Sequence, residues 1–511
     1  MSSDSGQTTS IWMAETSSPS PLCASAHTDV CVVGAGISGM TTAYLLARQG
    51  KSVVVLEAGS IGGGETGRTT AHLSNALDDR YCELERLFGE TGVRLAAASH
   101  TAAIDCIEAI VAEEHIACDF ERLDGYLFVP SEESQDVLDR EIGVVHRAGL
   151  TDVEWVDKAP LEYFDTGRCL RFPRQGQFHP LKYLNGLARA ILRSGGQIFT
   201  GTHAEDIHGG SPARIKTRAG PIVTADDVVV ATNTPINDPL IMHTKQYAYR
   251  TYVIGVQIPR GSVTRALYWD TPDPYHYVRL QSGDGRGQTH DLLIIGGEDH
   301  KVGEQDDGHQ RFAELYRWTR RRFPMVQEIA YRWSGQILEP ADSLAFIGRK
   351  PQDAPNVYIA TGDSGHGMTH GTIAGILLTD LILGRQNPWA CLYDPLRLRS
   401  LATTDFLVEN LSALAHYADW LTGGEVSSAA AIKPGEGRIL RRGLTKIAAF
   451  RDENGVLHER QAICQHLGCV VAWNSTEKSW DCPCHGARYD ALGRVINAPA
   501  NSDLVGGDGA R

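Results

Sequence analysis

With 511 residues, 42% of them hydrophobic and 22% charged, the chain is too long for one hydrophobic core. Its composition excludes a fibrous or disordered protein and suggests roughly two to four domains. A formal net charge of −14 argues against a nucleic-acid partner, because neutralising phosphates needs an excess of Lys and Arg; a basic electron-transfer partner is compatible with it.

Residues 1–27 are rich in Ser, Thr and Pro, have no basic n-region and hold no apolar run of signal-peptide length, so they read as a flexible arm. The apolar run 373–383, interrupted by Thr379 and Asp380, falls short of the roughly 20 residues that span a bilayer. No membrane span and a cytoplasmic location are expected. The β-branched run 29–33, the 3–4 spacing of Met40, Ala43, Tyr44 and Ala47 over 37–49, and a second run at 52–56 predict a β-α-β unit. Strand-like runs recur at 125–129, 222–231, 249–257 and 292–295, between helical patterns such as 181–194 and 310–323. This order predicts an α/β body over 28–395 with an inserted mixed or antiparallel region.

A polar, Pro-containing stretch then leads to a helical linker over 396–424, where Leu407, Leu411, Leu414 and Leu421 form a stripe expected to dock onto the body. From 425 to 505 short strands alternate with turns such as Asp452-Glu453-Asn454-Gly455, which reads as a small all-β module. Residues 506–511 are expected to form a flexible tail.

Gly34-Ala35-Gly36-Ile37-Ser38-Gly39 follows the first strand and opens the first helix, the setting in which GxGxxG carries information. Gly34 and Gly36 let backbone amides approach a pyrophosphate at a helix N-terminus, and Gly39 permits close helix–strand packing. Glu57, ending the second strand 18 residues beyond Gly39, is placed to accept hydrogen bonds from ribose hydroxyls. A small-residue loop, 62–72, comes directly after. NAD is the competing ligand at this motif; no second strand-GxGxxG-helix unit occurs, so a separate nicotinamide-binding domain is not expected.

Together these segments resemble the glycine/D-amino-acid oxidase family of FAD enzymes. The resemblance spans about 29–394 and implies a Rossmann-like FAD-binding domain with an inserted substrate domain. It implies FAD contacts from Arg68, Thr69 and Thr70 in the loop, from Ala231 and Ala204, and from the closing segment Gly362, His366, Gly367, Met368 and Thr369. No cysteine stands in the matching stretch Trp333-Ser334-Gly335-Gln336, so the FAD is expected to be non-covalent. His366 and His370, four apart, are read as part of this segment rather than as metal ligands.

Of eleven cysteines, seven lie singly between Cys23 and Cys391 and read as core residues; the other four fall within 21 residues, alongside two histidines. Cys464-x-His466 and Cys482-x-x-His485, with 15 residues between His466 and Cys482, resemble the Rieske family. The resemblance implies a [2Fe-2S] cluster on Cys464, His466, Cys482 and His485, a Cys469–Cys484 disulfide, and a covering loop at Asn497-Ala498-Pro499-Ala500. Histidine ligation places such clusters at about −150 to +300 mV. Tyr489 stands where the family sets a hydroxyl against a ligand sulfur. Ala487 stands where high-potential members carry serine, which predicts a lower potential here.

A flavin that takes two electrons and a cluster that passes them singly imply a dehydrogenase delivering electrons to a carrier protein or a quinone-type acceptor; the family resemblance implies an amine or amino-acid-like substrate. His72, Arg250, Tyr252, Tyr275, His276 and Tyr277 are the candidates for the substrate face. The alternatives are a reductase or monooxygenase fed through the cluster, and a redox sensor or electron-transfer module without turnover.

Overall fold

The computed structural model describes residues 5–13, 19–130, 135–238, 241–283, 289–397 and 404–507. Ala26–Val33 lies inside an eight-stranded sheet, parallel to Val53–Leu56 on one side and to Ile222–Val230 on the other; Gln197–Phe199 and Val357–Thr361 extend it in parallel and Phe346–Arg349 adds an antiparallel edge. Val30 to Val33 are all buried, as expected of a strand covered on both faces. The helix Ile37–Arg48 packs between Pro180–Arg193 and Gly367–Ile382.

The helix Tyr81–Glu113 has no counterpart in the sequence reading. It is apolar and long enough to cross a membrane by composition, yet it breaks at Gly89 and buries Ala96, Ala97, Ala103, Ile104 and Ile107 in the main core. Its neighbours are the helices Gly367–Ile382 and Asp136–Arg147.

A second, nine-stranded sheet is mostly antiparallel and is centred on the long strands Gln246–Pro259, His290–Lys301 and Ile329–Pro340. The helix Gly308–Arg322 covers one side of it. The C-terminal module is a three-stranded and a four-stranded antiparallel sheet around a core of Ile439, Ala448, Trp473, Trp480 and Tyr489. The expected α/β body with an inserted antiparallel region and a small β module is the observed architecture.

Two expectations fail. In the arm 1–27, residues 5–13 are packed: Trp12 is fully buried and its Nε1 donates to the Thr69 carbonyl at 2.7 Å, while Thr9 bridges to Arg332. A chain rich in hydroxyls is ordered here because a buried acid accepts from it: the amide of Thr8 donates to Glu477 Oε2 at 3.0 Å. The leucine stripe is also turned the other way. Leu407, Leu411, Leu414 and Leu421 are 62%, 65%, 64% and 84% exposed, and the helix Thr404–Ala415 docks through polar side chains, with Glu409 paired to Lys301 at 2.6 Å and Asn410 donating to the Thr244 carbonyl at 3.0 Å. In the tail 506–511, Gly506 pairs with Arg460, and 508–511 lie outside the described residues.

The arm, the body and the C-terminal module meet at a buried charge cluster. Arg68 Nη1 lies 3.1 Å from Glu477 Oε1 and donates to the Ser334 carbonyl at 2.6 Å. Arg250 lies 3.6 Å from Asp481 and Arg488 3.1 Å from it; Arg488 also donates to the Ser5 carbonyl. Burial drives the Glu477 carboxyl up, but Arg68, Arg250 and Arg488 overcome it and hold it down at about 2.

Candidate functional site

A cavity of about 340 Å³ opens where the first strand meets its helix. Gly34 has φ +107°, and a Cβ there would sit 2.4 Å from the Ala231 carbonyl oxygen; a Cβ on Gly39 would sit 2.0 Å from the Gly34 oxygen. Only glycine permits this turn and this packing. The helix starts at Gly36 without a side-chain cap or an acid in its first turn, so its positive end is open to an anion. Ser38 Oγ is buried there without a partner. The Glu57 carboxylate is fixed by the amides of Ala35 (2.7 Å) and Gly59 (2.8 Å) and lines the cavity. An anionic pyrophosphate with a ribose beside it fits these groups.

Ile37, Thr69, Thr70, Ala204, Ala231, Gly362, His366, Gly367 and Met368 also line the cavity. Arg68 reaches it only in part, since its guanidinium turns to Glu477 and Ser334. Thr369 is corrected: its hydroxyl, 2.9 Å from His100 Nδ1, faces the next helix. His366 accepts from the Asp78 amide at 3.0 Å, and its imidazole is lowered by burial but raised more by Asp78, Asp79 and Asp363 together, for a net upward shift. His370 donates from Nδ1 to the Asp363 carbonyl, and its Nε2 is buried without a partner at the cavity.

On the far side, His72, Tyr275 and Tyr277 line the cavity, with Trp269, Asp78 and Asp299. Burial, reinforced by Arg279, lowers His72 to about 3, so it is neutral at pH 7. Arg250 and Tyr252 are corrected by strand alternation. Thr251 between them faces the cavity, while Arg250 turns to Ser334 and Asp481 and Tyr252 to His300 and Phe312. His276 is stacked on Trp318 and paired with Asp270.

A second cavity of about 450 Å³ adjoins the first, sharing Asp78, Tyr275, Asp299 and Ile337, and adds Asp79, Asp273, Glu339 and Glu409. Among the described residues, Arg80 is its one basic lining residue; its guanidinium donates to the carbonyls of Leu77 and Asp270. Burial raises the Asp299 carboxyl to about 7. Nothing in its sequence setting singled Asp299 out.

In the C-terminal module the loops 464–469 and 482–486 face each other. Cys469 and Cys484 form a disulfide with Cα atoms 6.5 Å apart, and the Cys482 sulfur lies within 4.8 Å of both its sulfurs. Cys464 and Cys482 are buried; the rings of His466 and His485 are 5.0 Å apart, and His485 Nδ1 is buried without a partner. Tyr489 donates to Cys464 Sγ at 3.4 Å and accepts from the Gln465 amide at 2.8 Å. Two thiols and two imidazoles on facing loops are the donor set of a mixed Cys/His [2Fe-2S] cluster.

The sequence profile of FAD dependent oxidoreductases matches residues 29–381, and that of the Rieske [2Fe-2S] domain matches 424–505. The chain belongs to the FAD dependent oxidoreductase family. It carries a Rieske domain at its C-terminal end. It is 31% identical over 500 residues, 96% of each chain, to the Rieske 2Fe-2S iron-sulfur protein YhfW of Bacillus subtilis. It is 30% identical to the gamma-glutamylputrescine oxidoreductase of Escherichia coli over 70% of this chain and 84% of the relative. Glycine oxidase from Geobacillus kaustophilus shares the fold, with TM-score 0.61 at 19% identity over 73% of this chain and 99% of its own.

In this FAD and Rieske oxidoreductase the two sites share a wall. Gln336, which lines the FAD cavity, donates from Nε2 to the carbonyl of Gly486, next to His485, at 2.9 Å. His243 of the FAD-binding body sets its ring 4.6 Å from His466 and 6.0 Å from His485; the same connection begins with Thr232 to Thr234 on the cavity. The loop expected to cover the cluster contributes Asn497, Ala498 and Ala500 to the FAD cavity. Sequence reasoning missed Gln336 and His243 because their roles depend on the other domain's position.

Proposed function

We propose that the protein oxidises an amine at a C–N bond on FAD and passes the electrons through its Rieske cluster to an external carrier. The observation that carries this reading is the Gln336–Gly486 contact, which sets one wall residue between the flavin cavity and a cluster-ligand loop. Bound FAD supplies two-electron oxidation, and the cluster supplies one-electron transfer.

The protein's own groups would prepare the amine. An ammonium must lose a proton before its C–N bond can be oxidised, and Asp299, raised to about 7 by burial and lining both cavities, is suited to accept it. Neutral His72, with Nδ1 3.0 Å from the Thr70 hydroxyl, would orient the substrate without adding charge. Arg68 and Arg250 are held by Glu477, Ser334 and Asp481, so neither offers its charge to a substrate carboxylate. The carboxylates and tyrosines of the second cavity favour a cation. The reading therefore narrows to an amine, with a second positive charge favoured over an α-carboxylate.

The test is anaerobic mixing of the holoenzyme with mono-, di- and polyamines and with D- and L-amino acids, following flavin bleaching and then the cluster's EPR signal. Bleaching by an amine followed by cluster reduction supports the proposal. Reduction only by an external electron donor, cluster first, reverses the direction of flow.

A further inference from the structure

We infer that the Rieske loop 495–501 is a structural part of the FAD site, closing over the adenosine end of the cofactor, so that FAD cannot leave without this loop lifting away. The inference rests on FAD as the ligand and not on the direction of electron flow.

One end of the cavity is marked by Glu57, the ribose-facing carboxylate, and by His203 and Ala204 beside it. Asn501 is fastened there, its Nδ2 donating to the carbonyls of Ala204 at 3.1 Å and Glu205 at 2.7 Å while its own carbonyl accepts from Arg218 at 3.0 Å. Asn497 is fastened near the phosphate loop: its Nδ2 donates to Glu65 Oε1 at 2.9 Å, and Ser5 Oγ lies 2.8 Å from its Oδ1. Between these anchors Ala498 and Ala500 face the cavity, and their small side chains leave its volume open. The loop thus spans the cavity mouth from phosphate to adenosine. Its anchors are side-chain hydrogen bonds to backbone carbonyls and one acid, individually modest, which suits a closure that opens for loading and then holds.

The test uses the holoenzyme diluted into flavin-free buffer, with release followed by the rise of free-flavin fluorescence. Asn501→Ala and Asn497→Ala should each release FAD at least about tenfold faster, in line with the loss of one or two hydrogen bonds, while the iron and acid-labile sulfide content per chain stays at the parent level. Release within twofold of the parent in both variants overturns the inference. Should the variants not fold, amide exchange of 495–501 in the parent decides: slower exchange with FAD than without supports the closure, and equal exchange overturns it.

Discussion

The two cofactor sites are built on opposite plans. The cluster pocket is local: its ligands lie on two loops tied by the Cys469–Cys484 disulfide, and its supporting hydroxyl, Tyr489, is on the strand that follows the second loop. The FAD cavity is distributed: its walls run from Val33 to Asn501 and include both domains. A local site depends on its own loops, whereas a distributed one depends on every contact that keeps the domains in register. Damage should therefore pass from the domain seam to the flavin far more readily than from the cluster to the flavin.

The largest effect that sharpens this contrast is loss of a ligand. His485→Ala should abolish the cluster's visible and EPR signals while FAD remains near one per chain, because the disulfide still ties the loops; loss of FAD along with the cluster would make the two sites interdependent. Next comes the seam. Glu477→Gln leaves Arg68 buried without its anion, and Arg250 and Arg488 with Asp481 alone; it should cost about 3–5 kcal/mol, seen as a lower Tm with early FAD release and an intact cluster spectrum. In the parent, the Glu477 carboxyl is held at about 2 against an ordinary 4.5. Its roughly 3 kcal/mol contribution is therefore full above about pH 4.5 and disappears as pH falls through 2. Acid titration of the parent should show this loss, and Glu477→Gln should not.

A smaller effect is expected within the flavin cavity. Asp299→Asn should slow flavin reduction by amine on the order of 100-fold at pH 7 and remove the rise in rate that the parent shows as pH climbs through about 7. Smallest is Ala487→Ser beside the cluster. One added hydrogen bond of about 1 kcal/mol corresponds to a rise on the order of 40 mV in midpoint potential, measured by redox titration, with flavin binding unchanged.

The same contrast explains what could be read without coordinates. Gly34, Gly36, Gly39 and Glu57 were legible because a strand-turn-helix unit imposes their spacing, and Cys464, His466, Cys482 and His485 because two short loops do. Arg250 and Tyr252 were misplaced since a strand shows its period but not which face meets the substrate; Thr251 took the cavity instead. The leucines of 404–415 look like a docking face in any helical projection, yet Glu409 and Asn410 make the contacts. Arg68 reaches the cavity only in part for a related reason: its partner, Glu477, lies 409 residues away, and no local pattern announces an ion pair across domains.

The packed N-terminal segment also sets an order of assembly. Thr8 is made first, but its acceptor Glu477 follows 469 residues later, roughly half a minute to a minute and a half at ordinary synthesis rates of about 5–20 residues per second. Residues 5–13 thus leave the ribosome long before their partner and are among the last to settle, and a chain stopped before Glu477 leaves them with nowhere to go.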